Sequence, residues 1–126
     1  MERFYLNGIP WTVCYVPYDS SYLVDRTGNL RLATTDIRLH TIYLNEGLSG
    51  NLLMKVTFHE IGHAVMTSFG LIEELHRLVK PEYWIEAEEW VCNLLADYAE
   101  VVVRTGYTVT GYEAINRVAD AFNRCL

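Results

Sequence analysis

The hydrophobic pattern changes character about one third of the way along the chain. The first part contains short runs of aromatic and β-branched residues bounded by turn residues, which is typical of β-strands. We predict strands over 11–16, 30–33 and 41–44. Because turn signals separate these runs, the sequence predicts a small N-terminal antiparallel sheet of about three strands.

The remainder of the chain has the spacing of amphipathic helices. We predict helices over 49–69, 71–79, 81–104 and 112–124. Ser49 or Asn51 caps the first helix and Gly70 ends it. Pro81 suits the first turn of the third helix, which Thr105 and Gly106 end. Strands followed by helices indicate an α+β fold, and no linker divides the chain, so residues 1–126 are predicted to form a single domain.

The first long helix carries the motif His59-Glu60-Ile61-Gly62-His63. Residues four apart lie on one face of a helix, so His59 and His63 can direct two imidazoles at one metal ion. Glu60 is offset from His59 by about 100°, close enough to reach a water on that ion without being a ligand. Zinc lowers the pKa of its water and polarises a carbonyl, and Glu60 can move the proton as a general base.

Gly62 is unusual in the middle of a helix, where it costs about 1 kcal/mol relative to alanine. A glycine is favoured here if another backbone packs closely against the ligand-bearing turn. The alternative is that two histidines and a glutamate share a helix by chance, but such residues are costly to bury without a function.

A catalytic zinc site requires a third protein ligand. The third helix offers these candidates: Glu82, Glu86, Glu88, Glu89, Asn93, Asp97 and Glu100. Glu89 adjoins a strip of small residues that begins at Cys92, and small residues allow two helix axes to approach. The helical projection therefore favours Glu89 and ranks Glu88 lower, while Asn93 and Asp97 are candidates to orient a histidine from outside the ligand set.

The same projection predicts a core face on this helix. It contains large apolar residues on the side opposite Glu89. The face consists of Trp90, Val91, Leu94, Leu95, Tyr98 and Val101.

With these residues placed, the chain resembles zincin metallopeptidases of the gluzincin type, and in particular the ImmA/IrrE family. The resemblance rests on His59-Glu60-Ile61-Gly62-His63 and on Glu89-Trp90-Val91-Cys92-Asn93, and it covers about residues 40–100. It implies a minimal zincin-like fold with Zn²⁺ bound by His59, His63 and Glu89, and Glu60 as catalytic base. The implied activity is that of a zinc-dependent endopeptidase acting on a protein or peptide, of which a regulatory protein is one candidate.

The resemblance also implies a site for the substrate. In zincins, the strand before the motif helix is often an edge strand that pairs with an extended peptide. Here the strand consists of Thr41, Ile42, Tyr43 and Leu44. An ordinary edge strand is an equal alternative. The donors that could stabilise an oxyanion are His76, Tyr98, Tyr107 and Tyr112, which the sequence does not rank.

Composition and net charge indicate whether the chain is expected to bind nucleic acid, to span a membrane or to be secreted. The chain has 126 residues and a formal net charge of −6, without a cluster of Lys and Arg, which argues against nucleic-acid binding. The N-terminus lacks the pattern of a signal peptide, and no apolar run is long enough to span a membrane. Cys14, Cys92 and Cys125 are predicted to be free thiols, so we expect a cytoplasmic protein.

Two other functions are compatible with the motif. One is a binding or regulatory module that keeps the zincin fold and the zinc ion but does not cleave peptides. Glu60 argues against it, because a structural metal site needs no general base. The other is a zinc hydrolase that acts on a non-peptide amide.

Overall fold

The computed structural model of the chain describes residues 2–112 and has an α+β fold. Four strands come first: β1 (Glu2–Leu6), β2 (Ile9–Val16), β3 (Ala33–Asp36) and β4 (Thr41–Asn45). Three helices follow: α1 (Gly50–Ser68), α2 (Leu71–Leu78) and α3 (Trp84–Thr110). Short 3₁₀ turns cover Ser21–Leu23 and Pro81–Tyr83. From residue 113 onward, the predicted last helix lies outside the described residues.

The four strands form one mixed sheet in the order β1-β2-β4-β3. β1 and β3 pair antiparallel with their neighbours, whereas β2 and β4 run parallel. The prediction of about three antiparallel strands was therefore wrong. It missed β1, which is joined to β2 by Asn7 and Gly8 with φ angles of 52° and 76°. An Asn-Gly pair in this left-handed region is a strong hairpin signal that the pattern of apolar residues did not reveal.

β4 is an interior strand, which corrects the prediction of a substrate-binding edge at Thr41, Ile42, Tyr43 and Leu44. Its backbone pairs with β2 on one side and with β3 on the other. Ile42 and Leu44 are 0% and 1% exposed. The predicted strand over 30–33 forms three residues later, at Ala33–Asp36, and covers the edge that β4 would otherwise present. Among the described residues, the open edges belong to β1 and β3.

The main core lies between the sheet and α1. It is built from buried side chains of alternating strand positions together with one small residue of the helix, as the two-residue period of strands requires. These residues are Trp11, Val13, Ala33, Ile42, Leu44 and Ala64. The indole Nε1 of Trp11 donates a hydrogen bond of 2.8 Å to Ser68 Oγ, so the last turn of α1 is tied to β2.

The bounds of α1 and α2 confirm the predictions to within a residue. Ser49 is the N-cap of α1 in extended conformation, and Gly70 adopts a φ of 69° in the left-handed region after its end. The third helix begins as expected after Pro81, but it continues beyond Thr105 and Gly106. Its stop is Gly111, which has a φ of 69°. Gly106 itself has helical backbone conformation, so this glycine does not end the helix.

The chain divides into two compact units, Met1–Ala96 and Asp97–Leu126. The first contains the sheet, α1, α2 and the beginning of α3, and the described part of the second continues α3. Trp90 in the first unit is 65% exposed and Tyr98 in the second is 58% exposed. The predicted core face of α3 is therefore wrong, because the buried residue of this helix is Cys92 at 0%. No described helix is sufficiently long and apolar to cross a membrane.

The turn of α1 that carries the motif packs closely against α3. A Cβ atom at Gly62 would lie 3.1 Å from the Cys92 sulfur and 3.4 Å from the Cys92 Cα. The distance to the sulfur is tighter than ordinary van der Waals contact and the distance to the Cα is at its lower limit, so any side chain here requires Cys92 to give way by a few tenths of an ångström. The expectation of a close backbone at Gly62 is confirmed.

We expect Gly62→Val to lower the free energy of unfolding by about 1–3 kcal/mol, because the larger side chain must push α3 away. The measurement is urea unfolding with a chelator present, which excludes effects of bound metal. Gly106→Val is the matched control, since a Cβ at that helical glycine meets nothing within 4 Å. It should leave stability unchanged or raise it, because valine is a better helix former than glycine. Equal losses from both substitutions would contradict the packing argument.

Candidate metal centre

The two histidines of the motif converge on one point. His59 and His63 lie one turn apart on α1, and their Nε2 atoms are 3.2 Å apart. Two imidazole lone pairs repel at this distance, so a proton or a cation must lie between them. The helix thus directs both rings at a common position, as the four-residue spacing predicts.

Glu89 of α3 approaches the same two nitrogen atoms. Its Oε2 lies 3.0 Å from His59 Nε2, and its Oε1 lies 3.2 Å from His63 Nε2. The side chain of Glu89 is 42% exposed, so solvent can reach this side of the site. The three residues predicted to be ligands therefore meet, one helix contributing two nitrogens and the other a carboxylate.

The separations of these atoms fit a zinc ion. Bonds of about 2.0–2.1 Å in a tetrahedral site place ligand atoms roughly 3.3–3.4 Å apart. The observed separations are 3.0, 3.2 and 3.2 Å. Two imidazoles and one carboxylate are also a donor set that catalytic zinc uses, with a fourth position left for water. Both the separations of the three donor atoms and their chemical types are therefore suitable for zinc.

Glu60 lies beside the converging nitrogens and is 5% exposed. A carboxylate oxygen of Glu60 and a nitrogen of each histidine lie within 4.8 Å of one another. Its Oε2 accepts a hydrogen bond of 3.4 Å from Thr35 Oγ1 on β3. Burial raises the pKa of Glu60, while the two histidines act in the opposite direction. The arrangement places a proton acceptor at the site and anchors it to the sheet.

Glu88 contacts His63 on the side of the ring for which other residues were predicted. Its Oε2 lies 2.5 Å from His63 Nδ1, and the two side chains are 13% and 10% exposed. The helical projection predicted a contact that orients a histidine for Asn93 or Asp97. Both are exposed, and Asp97 belongs to the second unit. The signal available in the sequence was that Glu88 lies one helical turn before the small residue Cys92, whose position proved to be buried.

At this site the carboxylates favour positive charge on the imidazoles, and the imidazoles favour negative charge on Glu89. Hydrogen bonds with His59 and His63 hold the pKa of Glu89 well below its ordinary value. Burial lowers the pKa of His63, but hydrogen bonds with Cys92, Glu88 and Glu89 outweigh it and raise that pKa to about 12. The carboxylates around the imidazoles therefore favour positive charge at this position, whether a proton or a metal ion provides it.

The predicted oxyanion donors stay unranked. The imidazole of His76 stacks on Trp84 with ring centroids 3.9 Å apart. Tyr98, Tyr107 and Tyr112 belong to the second unit, where the rings of Tyr107 and Tyr112 are 5.4 Å apart.

Family models, curated proteins and solved structures were compared with the chain, and none of them matches it significantly. The resemblance to zincins therefore stays a prediction that rests on the two motifs of the sequence.

If the site binds zinc as predicted, replacing Glu89 with alanine should weaken that binding, because it removes one of the three predicted ligands. We expect a loss of affinity larger than the roughly 10–100-fold that follows removal of an outer partner of a metal ligand. Competition with a chromophoric chelator measures the affinity. Glu86→Ala is the matched control, since Glu86 is an exposed carboxylate on the same helix. Unchanged affinity in the Glu89 variant would exclude that residue as a ligand.

Proposed function

We propose that this protein is a zinc-dependent endopeptidase with a minimal zincin-like fold. The observation that carries the proposal is the buried carboxylate of Glu60, which lies within 4.8 Å of both imidazoles. A site that only stores or structures a metal has no use for a proton acceptor at this place. His59, His63 and Glu89 would hold the ion.

Zinc, when bound, supplies a Lewis acid that polarises a carbonyl and makes water more acidic. Glu60 accepts the proton of the attacking water as the water oxygen bonds to the carbonyl carbon. The C–N bond then breaks, and Glu60 returns the proton to the departing amine nitrogen. Burial raises the pKa of Glu60 above its ordinary value, which makes this carboxylate a better proton acceptor.

The open edge of β3 supports a peptide as the substrate. The carbonyl of Leu32 accepts a hydrogen bond of 2.9 Å from the Asn45 N–H. Bonded residues alternate along an antiparallel ladder, so the backbone groups of Ala33 and Thr35 are directed at the open edge. Thr35 also contacts Glu60. An extended peptide that adds to β3 would therefore pass next to the catalytic carboxylate.

Glu60→Gln tests the proposed mechanism. The variant should bind zinc as tightly as the native chain but lose about 10²–10⁴-fold in cleavage rate, because it cannot accept a proton. The substrate is a peptide mixture from a digested cell lysate, and mass spectrometry counts the new termini. Glu86→Gln should keep the native rate.

The outcomes separate the candidate functions. A native chain that binds zinc but produces no new termini would support a binding module instead of a peptidase. Equal cleavage by the native chain and Glu60→Gln would exclude Glu60 as the general base.

The β3 edge can be tested with Ala33→Pro. Proline is tolerated at the first residue of a strand, and here it removes an N–H that is directed at the open edge. We expect slower peptide cleavage with zinc affinity unchanged. The matched control is Arg3→Pro on β1, the other open edge. Leu6 pairs with Ile9 across the two-residue turn, so bonding to β2 alternates from Leu6 and the N–H of Arg3 is directed outward. Cleavage that slows equally in both variants, or in neither, would show that the substrate does not pair with β3.

A further inference from the structure

Glu88 is a buried carboxylate that the proposed hydrolysis does not use. Its Oε2 lies 2.5 Å from His63 Nδ1, the ring nitrogen on the far side of the imidazole from Glu89. Successive residues on a helix differ in direction by about 100°, which allows Glu88 and Glu89 to approach one ring from two sides. The ring of His63 is therefore held between two adjacent carboxylates of α3.

We infer that Glu88 is a positioning residue, which fixes His63 in the tautomer that presents Nε2 to the metal. The inference rests on the zinc site proposed above. An imidazole that binds a metal through one nitrogen carries its proton on the other, and that N–H is commonly held by a carboxylate. Here the acceptor is Glu88, and the bond also prevents rotation of the ring.

The position of the contact excludes Glu88 as a ligand of the same ion. The two nitrogens of an imidazole point in different directions, so an oxygen at Nδ1 cannot also reach an ion at Nε2. Burial strengthens the contact, since the His63 and Glu88 side chains are 10% and 13% exposed and a carboxylate that is shielded from water needs a partner. Glu88 therefore acts on the metal only through His63.

The first experiment measures zinc affinity of the full chain by chelator competition. Glu88→Gln keeps the shape of the side chain but loses its charge, and we expect zinc affinity to fall about 10–100-fold. Glu86→Gln carries the same change of charge at an exposed position of α3 and should bind zinc as the native chain does.

The second experiment has its main readout in the native chain, so it does not depend on the folding of a variant. NMR of the zinc-loaded native chain should show a strongly downfield, slowly exchanging Nδ1–H proton on His63, and Glu88→Ala should abolish it. A structural role of Glu88 elsewhere would not produce this signal.

The outcomes distinguish this inference from the proposed function. A native chain that does not bind zinc would overturn the metal site, and the role of Glu88 with it. A native chain that binds zinc while Glu88→Gln binds equally well would overturn the role of Glu88 alone. Absence of the downfield Nδ1–H in the zinc-loaded native chain would do the same.

Discussion

The close approach of α1 and α3 at Gly62 is the constraint on which the site depends. The two imidazoles come from α1 and the carboxylates of Glu88 and Glu89 from α3, so the distance between the helices sets the separations between imidazole and carboxylate. A Cβ at position 62 would lie 3.1 Å from the Cys92 sulfur, and Cys92 follows Glu88 by one turn. A large side chain at position 62 would therefore press on the turn of α3 that follows Glu88 and Glu89. Glycine is a poor helix former, but at this position its lack of a side chain allows α3 to lie close to the two histidines.

The same packing concentrates negative charge that the fold alone does not compensate. Glu60, Glu88 and Glu89 surround two imidazoles, and Glu60 is 5% exposed. Buried carboxylates need partners of opposite charge, and His63 can carry one proton in their midst. A divalent ion at the two Nε2 atoms supplies more positive charge and leaves Glu88 with the Nδ1–H. The arrangement therefore suits a cation at the two Nε2 atoms, such as the zinc ion proposed above.

Features that depend on neighbouring residues in the sequence could be predicted, whereas features that depend on pairing between distant segments could not. The bounds of α1 follow from its periodicity and from Ser49 and Gly70, all of which are local features. The interior position of β4 depends on its parallel pairing with β2, across a connection that no local pattern describes. The contact of Glu88 with His63 was not predicted, because a projection of one helix does not show which of its sides lies against α1. The projection took the side of Trp90 as part of the core, and Trp90 is 65% exposed.

The order of the strands matters for the chemistry as much as the helices do. Because β3 lies outside β4, its Thr35 can hold Glu60 from the sheet while Glu89 approaches the imidazoles from α3. Glu60 and Glu89 are thus supported by different elements, although Glu60 shares α1 with the two histidines. A shift of α3 would disturb Glu89 but not the contact of Glu60 with β3. Under the proposed function, metal affinity and proton transfer can therefore be separated by mutation.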